Sequence, residues 1–377
     1  MENTKQLTMA RKLGYSTFNL GESIGYNMFY TYFLLFLTDY AGVAAGIAGT
    51  ISLICVLWDG VTDAVIGYIS DRSKNPNGRR RPFVMRFFIP FGIMSALIFA
   101  DFGLTGAAQI VYYIVMTSLF WLFFTLTDVP AIALGGEITD EADEKRSIRS
   151  WSTITNYIGY ILASAFAPQL VAAFSSMVSK PSMAWTYTAA VFGVILIVCY
   201  AISLVSTKGL EKPLSQEEIE EQPKGNFFKL MLGTLTIKPF RALWVYCIIG
   251  QIAVFIGQAT LIYVIFYVCG GTENDATRMF LLLGVFIIIA SPIMDKFAQK
   301  VDNKKAIVIC ISVQALGTIG LGVFGVSLKT LPIMFVCVAL GQAAYYVLSY
   351  TMVYDVSAVA YLKRNDGAST GTFIAFY

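Results

Sequence analysis

The chain has 377 residues, of which 56% are apolar and 14% charged, with a formal net charge of +3 and no histidine. Soluble domains carry about 25% charged residues, so an ordinary water-soluble fold is excluded; the apolar runs are long enough to cross a hydrocarbon core of about 30 Å as helices, which makes this an all-α membrane protein. Without histidine there can be no histidine-dependent triad, H-E-x-x-H zinc site or imidazole relay, and carboxylates must carry any proton or cation chemistry.

Ten complete helices are expected, at 14–39, 44–70, 83–100, 107–136, 148–176, 184–206, 240–268, 277–298, 305–327 and 331–361. No short apolar stretch with a small-residue cleavage site opens the chain, so helix one is expected to stay. Its "NLGESIGYN" places Glu22 inside the span. A glutamate at this depth either lines an internal site or reaches back toward the interface. Asn19, Asn27, Gln251 and Gln258 have a similar choice between lining a cavity and bridging helices.

Helix two contains "WDGVTDAVIGYISDR". Asp59 and Asp63 are i and i+4, on one face and one turn apart. Asp59 lies roughly 22 Å from the outer start of the helix and roughly 18 Å from Asp71 at its inner end, near the midplane. An ionised aspartate there costs at least about 3 kcal/mol, and such residues tend to face a bundle interior and mark ion or substrate paths. Two of them repel each other until a proton or a cation intervenes. The pattern suits Na⁺, a hard ion bound by oxygens, or one shared proton; the alternative is a structural pair capped by threonines or bridged to a basic residue. Helix four, in "FTLTDVPAIAL", adds Asp128, with Thr125 three residues before it on nearly the same face.

Between helices six and seven lies the longest polar stretch, Thr207 to Lys229, whose "LSQEEIEEQ" forms either a short amphipathic helix or part of a flexible linker. It divides the chain into residues 1–206, a linker at 207–238, and residues 239–377. After helix ten the sequence turns through "RNDGAS" and stops inside "TGTFIAFY", which reads as the start of an eleventh helix. All lysines and arginines except Lys180, Arg278 and Lys329 fall on one side, which puts the amino terminus in the cytoplasm. On this reading "NGRRRPF" is a cytoplasmic anchor and not a nucleic-acid site. The six cysteines are scattered through apolar segments and read as small hydrophobes. Tyr26, Tyr30, Trp58, Trp121, Trp151 and Tyr157 suit either sugar-stacking platforms or packing. Gly320-x-Gly322-x-x-Gly325 lies inside an apolar helix with no preceding strand, so close helix packing explains it better than dinucleotide binding.

The two parts echo each other. Gly67-x-x-x-Asp71-Arg72 with Arg79, Arg80 and Arg81 ends helix two; Ser291-x-x-x-Asp295-Lys296 with Lys304 and Lys305 ends helix eight. Two pseudo-symmetric six-helix halves describe the major facilitator fold, which carries its substrate site at the midplane between the halves. The acids at the helix ends, Asp71 and Asp295, and the basic loop residues Arg72, Arg79, Arg80 and Arg81 are expected to form a cytoplasmic charge network that gates their rocking.

"LLFLTDYAG", "LWDGVTDAVIGYISDRS…NGRRRPFV", "TLTDVPAIAL" and "MVYDVSAVAYLKRNDGAS" resemble successive signatures of the glycoside-pentoside-hexuronide:cation symporters, the melibiose permease-like family of major facilitators. The likeness spans helices one to ten. It implies a cation site at Asp59, Asp63 and Thr125, with Thr62 in place of the family's asparagine. For the solute it implies Asp128, with Ile132 where the family has a tryptophan. Glu22 and Ser23 align with a lysine-aspartate pair, and Ser152 falls near a helix-five arginine for which Arg149, one turn closer to the cytoplasm, is a substitute or only an anchor.

The expectation is a monomeric, multi-pass carrier of the cytoplasmic membrane with no enzyme activity and no cofactor. It would couple Na⁺ or H⁺ to a glycoside or related sugar by alternating access, with membrane lipid around it. A lysolipid or other amphipathic solute is the alternative.

Overall fold

A computed structural model of the chain describes residues 7–71, 73, 75, 78–139, 142–211, 236–301 and 303–364. The chain divides into two compact units, Met1–Gln222 and Pro223–Tyr377. In the first, α1 is Met9–Met28, continued by π-helical turns at Phe29–Phe33 and Phe36–Tyr40; α2 is Ala45–Asp71, α3 Arg81–Leu97, α4 Gly106–Glu137, α5 Ala142–Ser175 and α6 Pro181–Ser206. In the second, α7 is Lys238–Tyr263 with a π-helical turn at Val264–Val268, α8 Glu273–Val301, α9 Asn303–Phe324 and α10 Leu331–Arg364. Each expected helix has its counterpart. Their polar ends run on past the apolar stretch, so α5 begins at Ala142 where hydropathy alone places the start at 148.

Among the described residues, six helical stretches are long and apolar enough to cross a membrane: Ala45–Gly67, Gly106–Glu137, Trp151–Ser175, Pro181–Ser206, Lys238–Val268 and Lys304–Phe324. Of the other helices, α3 has 17 residues, and α1 carries Arg11, Lys12 and Glu22. A helix enclosed by protein tolerates polarity that a lipid-facing one does not. α1 is such a helix, packed against α5 and α6.

In the first unit α3 packs on α4 and α6, and α2 lies along α4. Lipid tails are as apolar as leucine, so close packing has to hold these helices together, and small residues allow it. A Cβ on Gly193 of α6 would stand 2.5 Å from the Gly92 carbonyl oxygen of α3. One on Gly159 of α5 would stand 2.5 Å from the Leu20 carbonyl oxygen of α1. Between these crossings lies an aromatic core in which Phe29 stacks on Phe120 with centroids 5.8 Å apart and meets Trp121 edge-on at 5.1 Å.

The second unit repeats the local plan. α10 packs against α8 and α9, as α4 does against α2 and α3, and α7 ends in a π-helical turn as α1 does. The sequence echo between the ends of helices two and eight therefore falls on helices with the same neighbours. "LSQEEIEEQ" and "TGTFIAFY" lie outside the described residues.

Candidate functional site

α2 and α4 run parallel in matched register. The Trp58 indole N–H donates to the Ser118 carbonyl at 3.0 Å, and further in Gly67 faces Val129. This register brings residues 59–63 beside Thr125. The buried Thr125 hydroxyl lies 3.2 Å from Asp59 Oδ1, 2.9 Å from Asp63 Oδ1 and 3.2 Å from the Thr62 hydroxyl. Thr62 Oγ1 is also 3.0 Å from the Asp59 carbonyl oxygen.

A hydroxyl has one proton to donate, so Thr125 cannot serve both carboxylates. Thr62, facing the Asp59 carbonyl and Thr125, reaches neither carboxylate by the contacts above. The cluster holds more oxygen lone pairs than protons, an arrangement that accepts a hard monovalent ion or a shared proton. It is also reachable, since Asp59 is half-buried and Asp63 exposed. Among the described residues no group of three or more Cys, Asp or Glu comes together as a metal site.

On α4, Trp121, Thr125, Asp128 and Ile132 recur at i, i+4, i+7 and i+11, one stripe of the helix. Asp128 is buried, whereas Ile132 is 48% exposed. Glu22 of α1 is half-buried, and its Oε2 accepts from the Asn156 side-chain amide of α5 at 3.0 Å. Tyr26, one turn outward from Glu22, has ring centroids 4.5 Å from Tyr30, 6.1 Å from Trp121 and 6.0 Å from Phe124.

Ser23 and Ser152 are placed differently. Ser23 is buried against α5, where a Cβ on Gly159 would come within 2.8 Å of its own, and its hydroxyl accepts from Asn27 at 3.0 Å. Ser152 is buried on α5, with its carbonyl accepting from Thr155 at 3.0 Å. Arg149 lies in α5, but its side chain is outside the described residues.

At the end of the first unit where α2 and α4 finish and α3 begins, the expected arginines meet acids of their own unit. Arg79 pairs with Glu137 through two hydrogen bonds, and Arg80 Nε reaches Glu137 Oε1 at 3.2 Å while its Nη1 donates to Ser70 at 2.8 Å. The Arg81 guanidinium donates to the Leu204 carbonyl, near the end of α6, at 2.9 Å. In return Glu211, just past α6, accepts from the backbone N–H groups of Arg80 and Arg81 at the start of α3. An unsatisfied helix N-terminus is thus capped by a carboxylate.

Gly78 makes this possible. Its φ is +103°, and a Cβ there would sit 2.1 Å from Glu211 Oε2. Arg72 lies outside the described residues, as do the side chains of Asp71 and Asp295. Sequence reasoning missed Glu137, Glu211 and the Lys12–Glu144 pair at 2.9 Å. The available signal was an acid at each helix end on the side of the basic loop.

A family model described as MFS/sugar transport protein matches residues 14–377. The chain is 27% identical over 326 residues to the uncharacterized symporter YnaJ of Bacillus subtilis, covering 85% of this chain and 68% of that protein. It is 29% identical over 165 residues to the inner membrane symporter YicJ of Escherichia coli, covering 44% of this chain and 36% of that protein, about a third of the relative's length. Among solved structures, a bacterial homolog of the human lysosomal transporter Spinster matches with a TM-score of 0.69 at 14% identity, over 98% of this chain and 78% of that one, a likeness of fold. The chain belongs to the MFS/sugar transport protein family.

Proposed function

We propose that this protein is a secondary active transporter of the cell membrane, with its amino terminus in the cytoplasm, that moves a glycoside or related sugar together with Na⁺ or H⁺ by alternating access. The observation that carries this reading is the Thr125 hydroxyl standing between Asp59 and Asp63, with Asp128 three residues further along the same face of α4. In this reading the cation enters the oxygen cluster of Asp59, Thr62, Asp63 and Thr125. The solute binds on the adjoining surface around Asp128 and Glu22, and Ile132 borders it.

Cation binding neutralises the helix-two acids and fixes Thr125, and through it the turn of α4 that presents Asp128. Each ligand then favours the other, a reciprocal coupling typically of about 1–3 kcal/mol. One positive charge moving inward down 100 mV supplies about 2.3 kcal/mol, enough for roughly fifty-fold accumulation. The arginines paired with Glu137 and Glu211 brace the cytoplasmic end during that cycle.

The test is accumulation in proteoliposomes under an imposed Na⁺ or pH gradient, with labelled glycosides, pentosides, uronides and a lysophospholipid as solutes. Uphill uptake of a sugar driven by one of the two gradients is expected. Uptake of the lysophospholipid alone, or solute flux that no cation gradient drives, overturns the reading.

A further inference from the structure

Asn19 lies on α1, is 9% exposed, and its side-chain Nδ2 has no hydrogen-bond partner. Leaving a buried polar donor unsatisfied costs about 1–3 kcal/mol. The neighbouring asparagine behaves otherwise: Asn27 donates to the Ser23 carbonyl at 2.7 Å and to its hydroxyl at 3.0 Å. Asn27 is thus tied to its own helix, and the Asn19 Nδ2 is not.

Its position is fixed by the contacts on either side. Tyr15, Asn19, Glu22 and Tyr26 recur at i, i+4, i+7 and i+11, a single stripe of α1. At one end of this stripe the Tyr15 hydroxyl donates to the Ala131 carbonyl of α4 at 2.9 Å; at the other Tyr26 packs on Trp121 and Phe124 of α4. With residue 131 opposite 15 and residue 124 opposite 26, antiparallel α4 brings Asp128 level with Asn19 and Glu22. α5 closes the other flank, where Thr155 donates to the Ser16 carbonyl at 2.7 Å and Asn156 to Glu22. Asn19 therefore lies level with Asp128, about one turn from Glu22 and two from Tyr26 along α1.

We infer that Asn19 is a solute-positioning residue. Its amide donates to an oxygen of a neutral polyhydroxylated ring whose hydroxyl protons go to Glu22 and Asp128. The inference rests on the transport reading above and narrows it to a solute class. A donor flanked by two acceptors matches a ring of hydroxyls, each able to accept one hydrogen bond and donate another. A uronide carboxylate would meet both acids instead. The nearest basic residue on this stripe's flank, Lys12, lies two turns away and is paired with Glu144 at 2.9 Å.

The test is counterflow in proteoliposomes with methyl β-glucoside, methyl β-galactoside, methyl β-xyloside and methyl β-glucuronide, followed by the monodeoxy series of the best neutral solute. Wild-type protein should exchange a neutral glycoside at least tenfold better than the glucuronide. Asn19→Ala and Asn19→Asp should each raise KM about tenfold without changing the cation concentration for half-maximal exchange. One deoxy sugar should lose about tenfold on the wild type and nothing further on Asn19→Ala. A structural role would not produce that non-additivity, and the wild-type deoxy profile stands even if a variant folds poorly. Preference for the glucuronide, or deoxy losses that add in full to that of Asn19→Ala, overturns the inference while leaving sugar transport intact. Absence of any sugar exchange overturns the transport reading and this inference with it.

Discussion

The Thr125 hydroxyl of α4 lies 2.9 Å from a carboxylate oxygen of Asp63 of α2, and this contact joins the two helices within the apolar stretch of each. The same oxygen is 3.2 Å from Asp59 Oδ1, so one hydroxyl proton faces both acids and can bond only one of them at a time. Thr125→Val keeps the shape and removes the hydroxyl. The cation concentration for half-maximal solute uptake should rise about tenfold, equivalent to about 1.4 kcal/mol, and Thr125→Ser should restore most of it. An unchanged cation dependence in Thr125→Val would remove Thr125 from the site.

α3 and α6 exchange caps where α3 begins and α6 ends. Glu211 accepts the N–H groups that open α3, while Arg81 donates to the Leu204 carbonyl of α6. Each charge sits at the helix end whose dipole it complements. Glu211→Ala should destabilise the protein by about 1 kcal/mol, the usual magnitude of a lost N-cap. Gly78→Ala should do at least as much, since it imposes a positive φ on a Cβ residue and pushes into Glu211. Thermal unfolding in detergent checks both; equal midpoints for variants and wild type would contradict the cap.

The α3–α6 crossing is set by two glycines. With 2.5 Å between a Cβ on Gly193 and the Gly92 carbonyl oxygen, Gly193→Val cannot be absorbed by a rotamer change. A loss of about 1–3 kcal/mol is expected, the range for overpacked cores. The same substitution at Gly46, where an added Cβ meets nothing within 4 Å, provides the comparison and should be close to neutral.

α8 opens on a reciprocal cap. Asp275 Oδ2 accepts from the Thr272 N–H at 2.9 Å and from its hydroxyl at 2.8 Å, while the Asp275 N–H points back to Thr272 Oγ1 at 3.4 Å. Those bonds hold the Asp275 carboxyl below its ordinary value. A depressed carboxyl stabilises the folded end above the unfolded value and loses that contribution as the pH falls through the folded one. The protection factors of the Thr272 and Asp275 amides should therefore fall below about pH 4, and Asp275→Asn should show the lower protection already at neutral pH. Protection factors that stay constant across that range in wild type would sink the cap.

Much of this architecture could be read before any coordinates. Hydrocarbon thickness sets helix length, so the ten spans emerged from apolar runs alone, and the cost of intramembrane charge singled out Asp59, Asp63 and Asp128. The spacing of Asp59 and Asp63 gave their shared face. Thr125 came from a family resemblance, because its meeting with α2 depends on the parallel register of two helices and leaves no local pattern. Glu137 and Glu211 escaped for a similar reason: Arg79 is 58 residues from Glu137 and Arg80 is 131 from Glu211. The π-helical turns, which leave the apolar run unbroken, have no periodic signature either. Asn19 was visible only as a polar residue with two possible roles, and its missing partner required the neighbours to be in place.

The central claim is that the Asp59, Asp63 and Thr125 oxygens hold the coupling ion. It is tested most directly by comparing uphill uptake with equilibrium exchange in Asp59→Asn, reconstituted beside wild type at matched protein density. Asp59→Asn should still exchange labelled for unlabelled solute across the bilayer yet fail to concentrate it when a Na⁺ or proton gradient is imposed. Gradient-driven accumulation at the wild-type level in that variant would contradict the account.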